Sequence, residues 1–323
     1  MQTDAQSDPH RADPHRADPQ REPAGRGHLT TEQRNPRSTD LDSMPVAEVL
    51  ALINAEDESI AGAVAAALPQ IESFVNMTVA ALKRGDRLIY IGAGSSGRLG
   101  VLDAAECPPT FSTPPEMVVG AIAGGPRALT RSIEGAEDQP SAGEQSLKEL
   151  ELTAGDIVLG ITSGGTTPYV HGAIAYARQL GCGTGLLVCT AGAADADQAD
   201  LVMTVIVGPE VVTGSTRMKA GTATKMVLNM ISTASMVQLH KVYGNLMVDL
   251  QARNDKLRDR GARIIAEVAG LAYEAAADLL VTAGGEVKTA LAMQLLALPA
   301  EEARQKLAAV EGSLSRALAK SGS

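Results

Sequence analysis

The chain has 323 residues, 45% of them hydrophobic, and a net charge of −10 at neutral pH. This length allows a sizeable core in one or two folding units. The negative charge argues against a nucleic-acid partner, which requires a basic surface. Because we find neither a membrane-spanning stretch nor a signal segment, the composition predicts a soluble, cytoplasmic protein without a membrane partner.

Metal and disulfide chemistry are not indicated by the residue types available. Cys107, Cys182 and Cys189 show neither a paired framework nor a zinc-binding spacing. Only His171 and His240 lie beyond the N-terminal region. We therefore predict reduced, partly buried cysteines, no metal site and no metal cofactor.

Residues 1–28 form a charged, proline-rich segment in which 8–12 repeat unchanged as 13–17. Such a composition cannot bury enough apolar surface to offset the entropy of ordering. The sequence therefore predicts a disordered N-terminal tail. Metal binding by the repeated histidines is the alternative interpretation.

Helical spacing predicts one helix from residue 46 to 53 and a longer one from 57 to 83. Short apolar runs then alternate with amphipathic segments, and this alternation is typical of a parallel sheet covered on both faces. The predicted strands are 87–91, 117–123, 157–161, 185–189 and 201–207. The predicted helices between them are 97–106, 128–136, 142–152 and 169–180. The fold class is therefore α/β, a doubly wound, mainly parallel five-stranded sheet.

The C-terminal part of the chain is predicted to be helical. Long helices are expected over 219–243 and 249–268. Three short helices follow: one at 274–276, before a turn at 283–285, and two over 287–296 and 300–318. We predict an α/β domain over 29–262 and a small all-helical domain over 263–323.

A glycine- and serine-rich turn at 92–97, here called the first cradle, joins the first predicted strand to the next helix. It matches the G-x-G-x-x-G pattern of dinucleotide sites, but these also need an acidic residue after the following strand. Residues 117–125 contain none. Because Ser95 and Ser96 add hydroxyl donors beside Gly94, we interpret the turn as a phosphate site, with a ligand-free turn as the alternative.

A second polar turn at 162–168, the second cradle, follows the third predicted strand. Because ligands of open α/β sheets bind at the carboxyl ends of strands, the two cradles are expected to face one another. A third polar segment, 213–219, brings hydroxyls and cations to the start of a long helix and could add to the ligand site. Considered by itself, such a segment is more typical of an ordinary helix N-cap.

Carboxylates are the remaining candidates for chemistry, since no nucleophilic triad or activated cysteine is evident. Their positions near helix ends and turns favour five of the 38 acidic residues. These are Asp103, Glu106, Glu134, Glu137 and Asp138. The residues alone indicate a phosphosugar-binding α/β protein with acid and base candidates.

Six segments together resemble the N-acetylmuramic acid 6-phosphate etherases, which have the sugar isomerase fold. They are 31–36, 92–111, 123–126, 134–138, 214–223 and 241–249. The resemblance implies cleavage of the D-lactyl ether of that substrate to N-acetylglucosamine 6-phosphate and D-lactate. It implies Glu106 as proton donor, Glu137 as second catalytic glutamate, and no cofactor. It also implies a homodimer with shared active sites, in which 31–35 or 241–245 crosses to the neighbour.

Phosphate binding is predicted for both cradles and for the segment before the long helix. The candidate residues are Gly94, Ser95, Ser96, Ser163, Gly165, Thr166, Thr167, Ser215 and Lys219. The second cradle departs from the family pattern, because Gly164 replaces a customary serine and Thr166 a customary arginine. A phosphosugar isomerase and a non-catalytic sugar-phosphate sensor on the same fold are the alternative functions.

Overall fold

The computed structural model describes residues 26–192, 199–250 and 254–319. In this part of the chain, five parallel strands form one sheet in the order β2-β1-β3-β4-β5. The strands are β1 Leu88–Gly92, β2 Val118–Ile122, β3 Ile157–Ile161, β4 Gly183–Val188 and β5 Leu201–Thr204. Each predicted run overlaps one strand, and the predicted doubly wound fold is confirmed.

Twelve α-helices occur in the described residues, together with short 3-10 turns. The first seven are α1 Val46–Asp57, α2 Ile60–Ala66, α3 Leu68–Arg84, α4 Gly94–Phe111, α5 Pro140–Glu149, α6 Pro168–Gln179 and α7 Lys219–Gln238. The C-terminal five are α8 Asp255–Ala269, α9 Tyr273–Thr282, α10 Val287–Leu296, α11 Ala300–Ala308 and α12 Leu314–Ala319.

Several predicted helix limits are wrong, mainly at prolines and glycines. The helix expected over 57–83 is divided into α2 and α3, because Pro69 lies in the first turn of a new helix. Conversely, α4 continues past Pro108 to Phe111, whose buried side chain holds this last turn against the core. The helix expected over 128–136 is replaced by 3-10 turns at Pro126–Leu129 and Ala136–Asp138.

The C-terminal helices also differ in detail from the prediction. The helix expected over 219–243 ends at Gln238. The last predicted helix is divided into α11 and α12, because Gly312 between them has a φ of +76°. The described region therefore contains four short helices after α8 where three were predicted.

Two hydrophobic clusters cover the two faces of the sheet. One face packs against α2, α3, α4 and α7 through residues such as Phe74, Tyr90 and Val227. The other packs against α5 and α6 through residues such as Val158 and Tyr169. Because helices cover both faces, the strand ends are where the sheet can present a ligand site.

A third hydrophobic cluster is formed by the C-terminal helices, where a small helical domain is predicted. This cluster also contains Val248 and Leu250, which precede the predicted boundary at 262/263. At the other end of the chain, residues 1–25 of the predicted tail lie outside the described residues. Arg26–His28 form a 3-10 turn, and Leu29 is buried.

No single helix among the described residues is long and apolar enough to cross a membrane. One bent pair, Val46–Ala66 with Leu68–Arg84, meets the length and composition criteria together.

The close contact between α5 and α6 generates a prediction. A Cβ at Gly143 would overlap the backbone carbonyl of Tyr169, so Gly143→Ala must push the two helices apart. We expect Gly143→Ala to lower stability by about 1–3 kcal/mol, the usual cost of overpacking. Gly62→Ala is the matched control: this exposed position in α2 has open space, and the substitution should raise stability by about 0.5–1 kcal/mol. Thermal unfolding of both variants measures this, and equal melting temperatures would contradict it.

Candidate active site

The two cradles begin side by side at the carboxyl edge of the sheet. β1 and β3 are neighbours, and Gly92 at the end of β1 pairs with Ile161 at the end of β3. The turns that follow these residues therefore start next to each other. This adjacency supports the prediction that both cradles contact one ligand.

The first cradle is a strand-to-helix turn with a free helix N-terminus. Gly94 begins α4 with a φ of +52°. The N-cap residue is Ala93, whose side chain makes no capping hydrogen bond to the helix. Ser95 is half-buried and Ser96 is buried in the first turn. Uncapped N–H groups and the helix dipole favour an anion at this position.

Glu137 shares a pocket with the first cradle. It lies in the 3-10 turn Ala136–Asp138. The pocket, of about 280 Å³, is lined by Gly94 and Arg98 on one side and by Glu134 and Glu137 on the other. The structure therefore brings one predicted catalytic carboxylate next to the predicted phosphate site, with Glu134 beside it.

A second, cationic pocket adjoins the first cradle. This cleft, of about 410 Å³, lies between α4 and α7, and none of the described residues that line it is acidic. Its lining comprises Ser95, Arg98, Leu99, Arg217, Gly221, Thr222 and Lys225. Arg98 lines both this cleft and the Glu137 pocket. The sequence does not reveal these cations as a group, because α4 and α7 are more than a hundred residues apart.

The second cradle is partly held by its own hydroxyls. The hydroxyls of Thr162 and Thr167 are 2.7 Å apart and hydrogen-bonded. Gly165 has a φ of +70°, and its carbonyl oxygen is 2.9 Å from Nε2 of His171. Ser163 and Thr166 are half-buried at the turn.

The N-terminal segment packs against this cradle. A Cβ at Gly164 would lie 3.6 Å from Cδ1 of Leu29 and 3.9 Å from Oγ1 of Thr31, which are ordinary contact distances. Thr31 is buried, and its Oγ1 has no hydrogen-bond partner among the described residues. Position 164 therefore has room for a Cβ atom.

The third candidate segment does not present its lysine to a ligand. Lys219 is only 3% exposed, and its Nζ lies 2.6 Å from Oε2 of Glu56. The backbone N–H groups of Lys219 and Ala220 donate to the buried carboxylate of Glu210. Because protein carboxylates already occupy this helix N-terminus, the expectation that Lys219 binds phosphate is not retained. Ser215 is half-buried in the preceding loop.

Glu106 lies on the exposed surface of α4, and it is not among the described residues that line the Glu137 pocket. Asp103, one turn earlier, is buried instead. Its carboxylate accepts hydrogen bonds from Tyr90 (3.0 Å), Asn229 (2.6 Å) and Ser232 (3.2 Å). Asp103 is therefore fully engaged in holding α4 against β1 and α7, a role that its position in the sequence did not reveal.

All three cysteines are free and buried. Burial raises the pKa of Cys107 and Cys189 to about 12 and that of Cys182 to about 11. They are therefore unreactive thiols in the folded chain. Within residues 26–192, 199–250 and 254–319, no three His, Cys, Asp or Glu side chains are grouped so that they could hold a metal ion.

An apolar groove of about 980 Å³ runs between α3 and α7 on the surface. Leu68, Ile71, Val75, Met226 and Met230 line it, and Lys225 lines both this groove and the cationic cleft. Of these, Ile71 and Val75 are buried, whereas Leu68 is 46% exposed.

The parallel sheet with two polar cradles at its carboxyl edge defines a protein of the sugar isomerase fold class. In agreement, residues 70–178 match the family model "Glucokinase regulatory protein N-terminal SIS domain". A phosphoheptose isomerase from Neisseria gonorrhoeae is 14% identical, with a TM-score of 0.45, over 59% of this chain and 98% of that one.

Curated relatives narrow this class to one family. The N-acetylmuramic acid 6-phosphate etherase of Geobacillus thermodenitrificans is 50% identical over 90% of this chain and 99% of its own length. The protein of the same name from Salmonella dublin is 52% identical over 90% of this chain and 98% of its own. The chain belongs to the N-acetylmuramic acid 6-phosphate etherase family.

The buried Glu56–Lys219 pair generates a stability prediction. Glu56→Gln leaves the Lys219 ammonium buried without a carboxylate, which should cost about 3–5 kcal/mol in the free energy of unfolding. Glu58→Gln, at an exposed position two residues later, is the matched control and should cost less than about 0.5 kcal/mol. Denaturant unfolding measures both, and equal effects of the two variants would contradict the prediction.

The pH dependence of this effect follows from the Glu56 carboxyl. Burial alone would raise its pKa, but Lys219, Asn35 and Arg37 together hold the pKa below its ordinary value of 4.5. A lowered folded pKa contributes stability above the unfolded value, and this contribution is lost as the pH falls. The stability difference between wild type and Glu56→Gln should therefore shrink below pH 4.5.

Proposed function

We propose that this protein cleaves the D-lactyl ether of N-acetylmuramic acid 6-phosphate, giving N-acetylglucosamine 6-phosphate and D-lactate. The enzyme class is a carbon–oxygen lyase of amino sugar recycling. The observation that carries the proposal is the pocket that Glu137 shares with the first cradle. It joins a carboxylate suited to proton transfer with an anion site that orients a phosphosugar.

The proposed reaction is an elimination followed by addition of water. In the open-chain aldehyde, the carbonyl acidifies the C2 proton, and a general base removes it. The C3–O bond then breaks as an acid protonates the departing lactate oxygen. Water adds at C3 of the unsaturated intermediate. We assign the base to Glu137 and the acid to Glu106, in line with the family motifs.

The charges around the first cradle fit this substrate. Besides its phosphate, the substrate carries the carboxylate of its lactyl group. Arg98, Arg217 and Lys225 line the cleft beside Ser95, and none of the described lining residues is acidic. Three basic side chains close together attract a small ligand that carries both a phosphate and a carboxylate.

The first test of the proposal is D-lactate release. Glu137→Gln should lower kcat by about 10²–10⁴-fold, the usual contribution of a positioned acid or base. Glu134→Gln is the matched control, because Glu134 lines the same pocket, and its kcat should change little. Coupled D-lactate detection measures the product.

Two outcomes would contradict the etherase assignment. Aldose–ketose conversion without D-lactate would indicate a phosphosugar isomerase. Tight binding of the muramyl phosphate without turnover would indicate a sugar-phosphate sensor.

Phosphate binding by the cradles predicts a separate kinetic effect. Ser95→Ala and Ser163→Ala each remove a hydroxyl that we assign to the phosphate, and a hydrogen bond to a charged group contributes about 1.5–3 kcal/mol. The Michaelis constant should therefore rise about 10–100-fold while kcat changes less. Ser141→Ala, at an exposed position of α5, is the control. Unchanged Michaelis constants in both variants would contradict the assignment of Ser95 and Ser163 to phosphate binding.

We also propose a cytoplasmic homodimer. The groove between α3 and α7, whose lining includes the 46%-exposed Leu68, is the surface that we propose for contact with the second copy. Three free, buried cysteines are consistent with a reducing compartment.

A further inference from the structure

The segment that carries Glu137 has few attachments to the rest of the protein. Residues 129–138, here called the Glu137 loop, begin at the end of the turn Pro126–Leu129 and precede α5. All of them are exposed except Ala136, which is half-buried. In the described part of the chain, backbone hydrogen bonds join this loop to itself and to the turn before it, and not to a strand or an α-helix. The position of Glu137 therefore depends on side-chain contacts.

Two apolar contacts hold the loop at separate points. The side chain of Ile133 lies against Gly124, where an added Cβ would come within 3.1 Å of it. Ala136 packs against the hydrophobic cluster that includes α6. Apolar contacts are not directional, and Ile133 is still 38% exposed. These contacts keep the loop near the sheet and leave the orientation of its backbone to polar groups.

Arg98 supplies a directional contact. Its Nε donates to the carbonyl oxygen of Leu129, and its Nη2 donates to that of Arg131, both at 3.2 Å. The two acceptors are two residues apart in the loop, so one planar guanidinium group bridges them with donors in a fixed relation. Because these donors meet carbonyl oxygens, they hold the loop without neutralising the Glu137 carboxylate.

Arg98 extends from a helix that is packed tightly on the sheet. A Cβ on the preceding residue, Gly97, would lie 2.5 Å from the carbonyl oxygen of Gly92 in β1. Gly100, two residues after Arg98, is in close contact with Tyr90 of the same strand. The backbone of Arg98 is therefore fixed relative to the sheet, and its guanidinium group connects the loop to that fixed position.

The same side chain also reaches the first cradle. Arg98 lines the Glu137 pocket with Gly94, and it lines the cationic cleft with Ser95 and Arg217. A guanidinium group has five N–H donors, and the two carbonyl oxygens accept from two of them. The remaining donors suit an anion bound at the first cradle. One side chain can thus contact an anionic group of the substrate and hold the Glu137 loop at the same time.

We propose, on the basis of the proposed function, that Arg98 is a positioning residue that couples the first cradle to Glu137. An anionic group of the substrate at the cradle fixes the guanidinium group from one side. The guanidinium group in turn fixes the carbonyl oxygens of Leu129 and Arg131 on its other side. The Glu137 carboxylate is thereby held where it takes the C2 proton, so binding of the anion contributes to correct placement of the base.

Arg98→Lys separates this role from simple anion binding. Lysine keeps the positive charge but lacks the planar fork that bridges two carbonyl oxygens. We expect kcat for D-lactate release to fall about 10–100-fold while the Michaelis constant changes less than about threefold. A raised Michaelis constant with unchanged kcat would make Arg98 an anion ligand only and would overturn the inference.

Arg131→Ala is the matched control for this substitution. It removes an exposed charge from the loop but keeps the backbone carbonyl oxygen that accepts from Arg98. Wild-type kinetics are therefore expected. A loss of kcat equal to that of Arg98→Lys would show that the loop responds to any change of charge, against the proposal.

Chemical rescue tests the geometry of the fork. In Arg98→Ala, guanidinium chloride at a millimolar, non-denaturing concentration should raise kcat about tenfold, because the free ion can bond both carbonyl oxygens. Ammonium chloride at the same concentration supplies the same charge and ionic strength without the fork, and it should restore little. Equal effects of the two salts would contradict the role of the fork.

Cleavage of the native protein by trypsin reports on the loop without any substrate. Arg127 and Arg131 are exposed cleavage sites beside and within the Glu137 loop. Loss of the two hydrogen bonds in Arg98→Lys should raise the rate of cleavage there about 3–10-fold, as followed by mass spectrometry. Cleavage after Arg84, an exposed residue at the end of α3, is the control and should not change. An equal rise at all sites, or no rise in the loop, would overturn the inference.

The failure of the inference is distinguishable from the failure of the proposed function. A wild-type protein that releases no D-lactate would contradict the function, whereas the trypsin experiment would still test the contact made by Arg98. D-lactate release by wild type together with wild-type kcat in Arg98→Lys would contradict only the inference. Because Arg98 is half-buried at the surface, both Arg98 variants should keep melting temperatures close to that of wild type. A loss of kcat that parallels a loss of melting temperature would indicate a general structural role instead.

Discussion

The close approach of α4 to the sheet is the constraint on which the site depends. Gly97 and Gly100 bring the helix against β1, and Gly120 of β2 contacts the backbone of Val101. The buried carboxylate of Asp103 then ties the helix to Tyr90 and to α7. Because the helix is fixed at several points, the cradle at its start and Glu106 near its end are held at one distance and orientation.

Much of this arrangement is predictable from the sequence. The five strands are near-continuous apolar runs, and such runs are predictable because both faces of a parallel sheet are buried. The cradles follow from the placement of serine, threonine and glycine directly after two of these runs. Their common edge follows from the rule that ligands bind at the carboxyl ends of strands. Their adjacency depends on the strand order, in which β1 and β3 are neighbours and Gly92 pairs with Ile161.

The parts that the sequence did not predict depend on contacts between distant segments. Lys219 is a cation in a polar segment, and nothing local indicates that Glu56 neutralises it or that Glu210 caps its helix. Arg98, Arg217 and Lys225 likewise become one cleft only when α4 and α7 lie side by side. The helix limits are hard to predict for a different reason, since proline marks both helix starts and helix ends.

The N-terminal segment around Leu29 contacts the second cradle, and this affects where a tag can be attached. The backbone N–H of Thr30 donates to Oγ1 of Thr190 beyond β4, and Leu29 is 1% exposed against the second cradle. These residues therefore pack against a turn that we propose as a phosphate site, although they lie far from it in the sequence. A fusion partner, a cleavage scar or a trimmed start near residue 29 is therefore expected to disturb the second cradle through the contacts of Leu29 and Thr30.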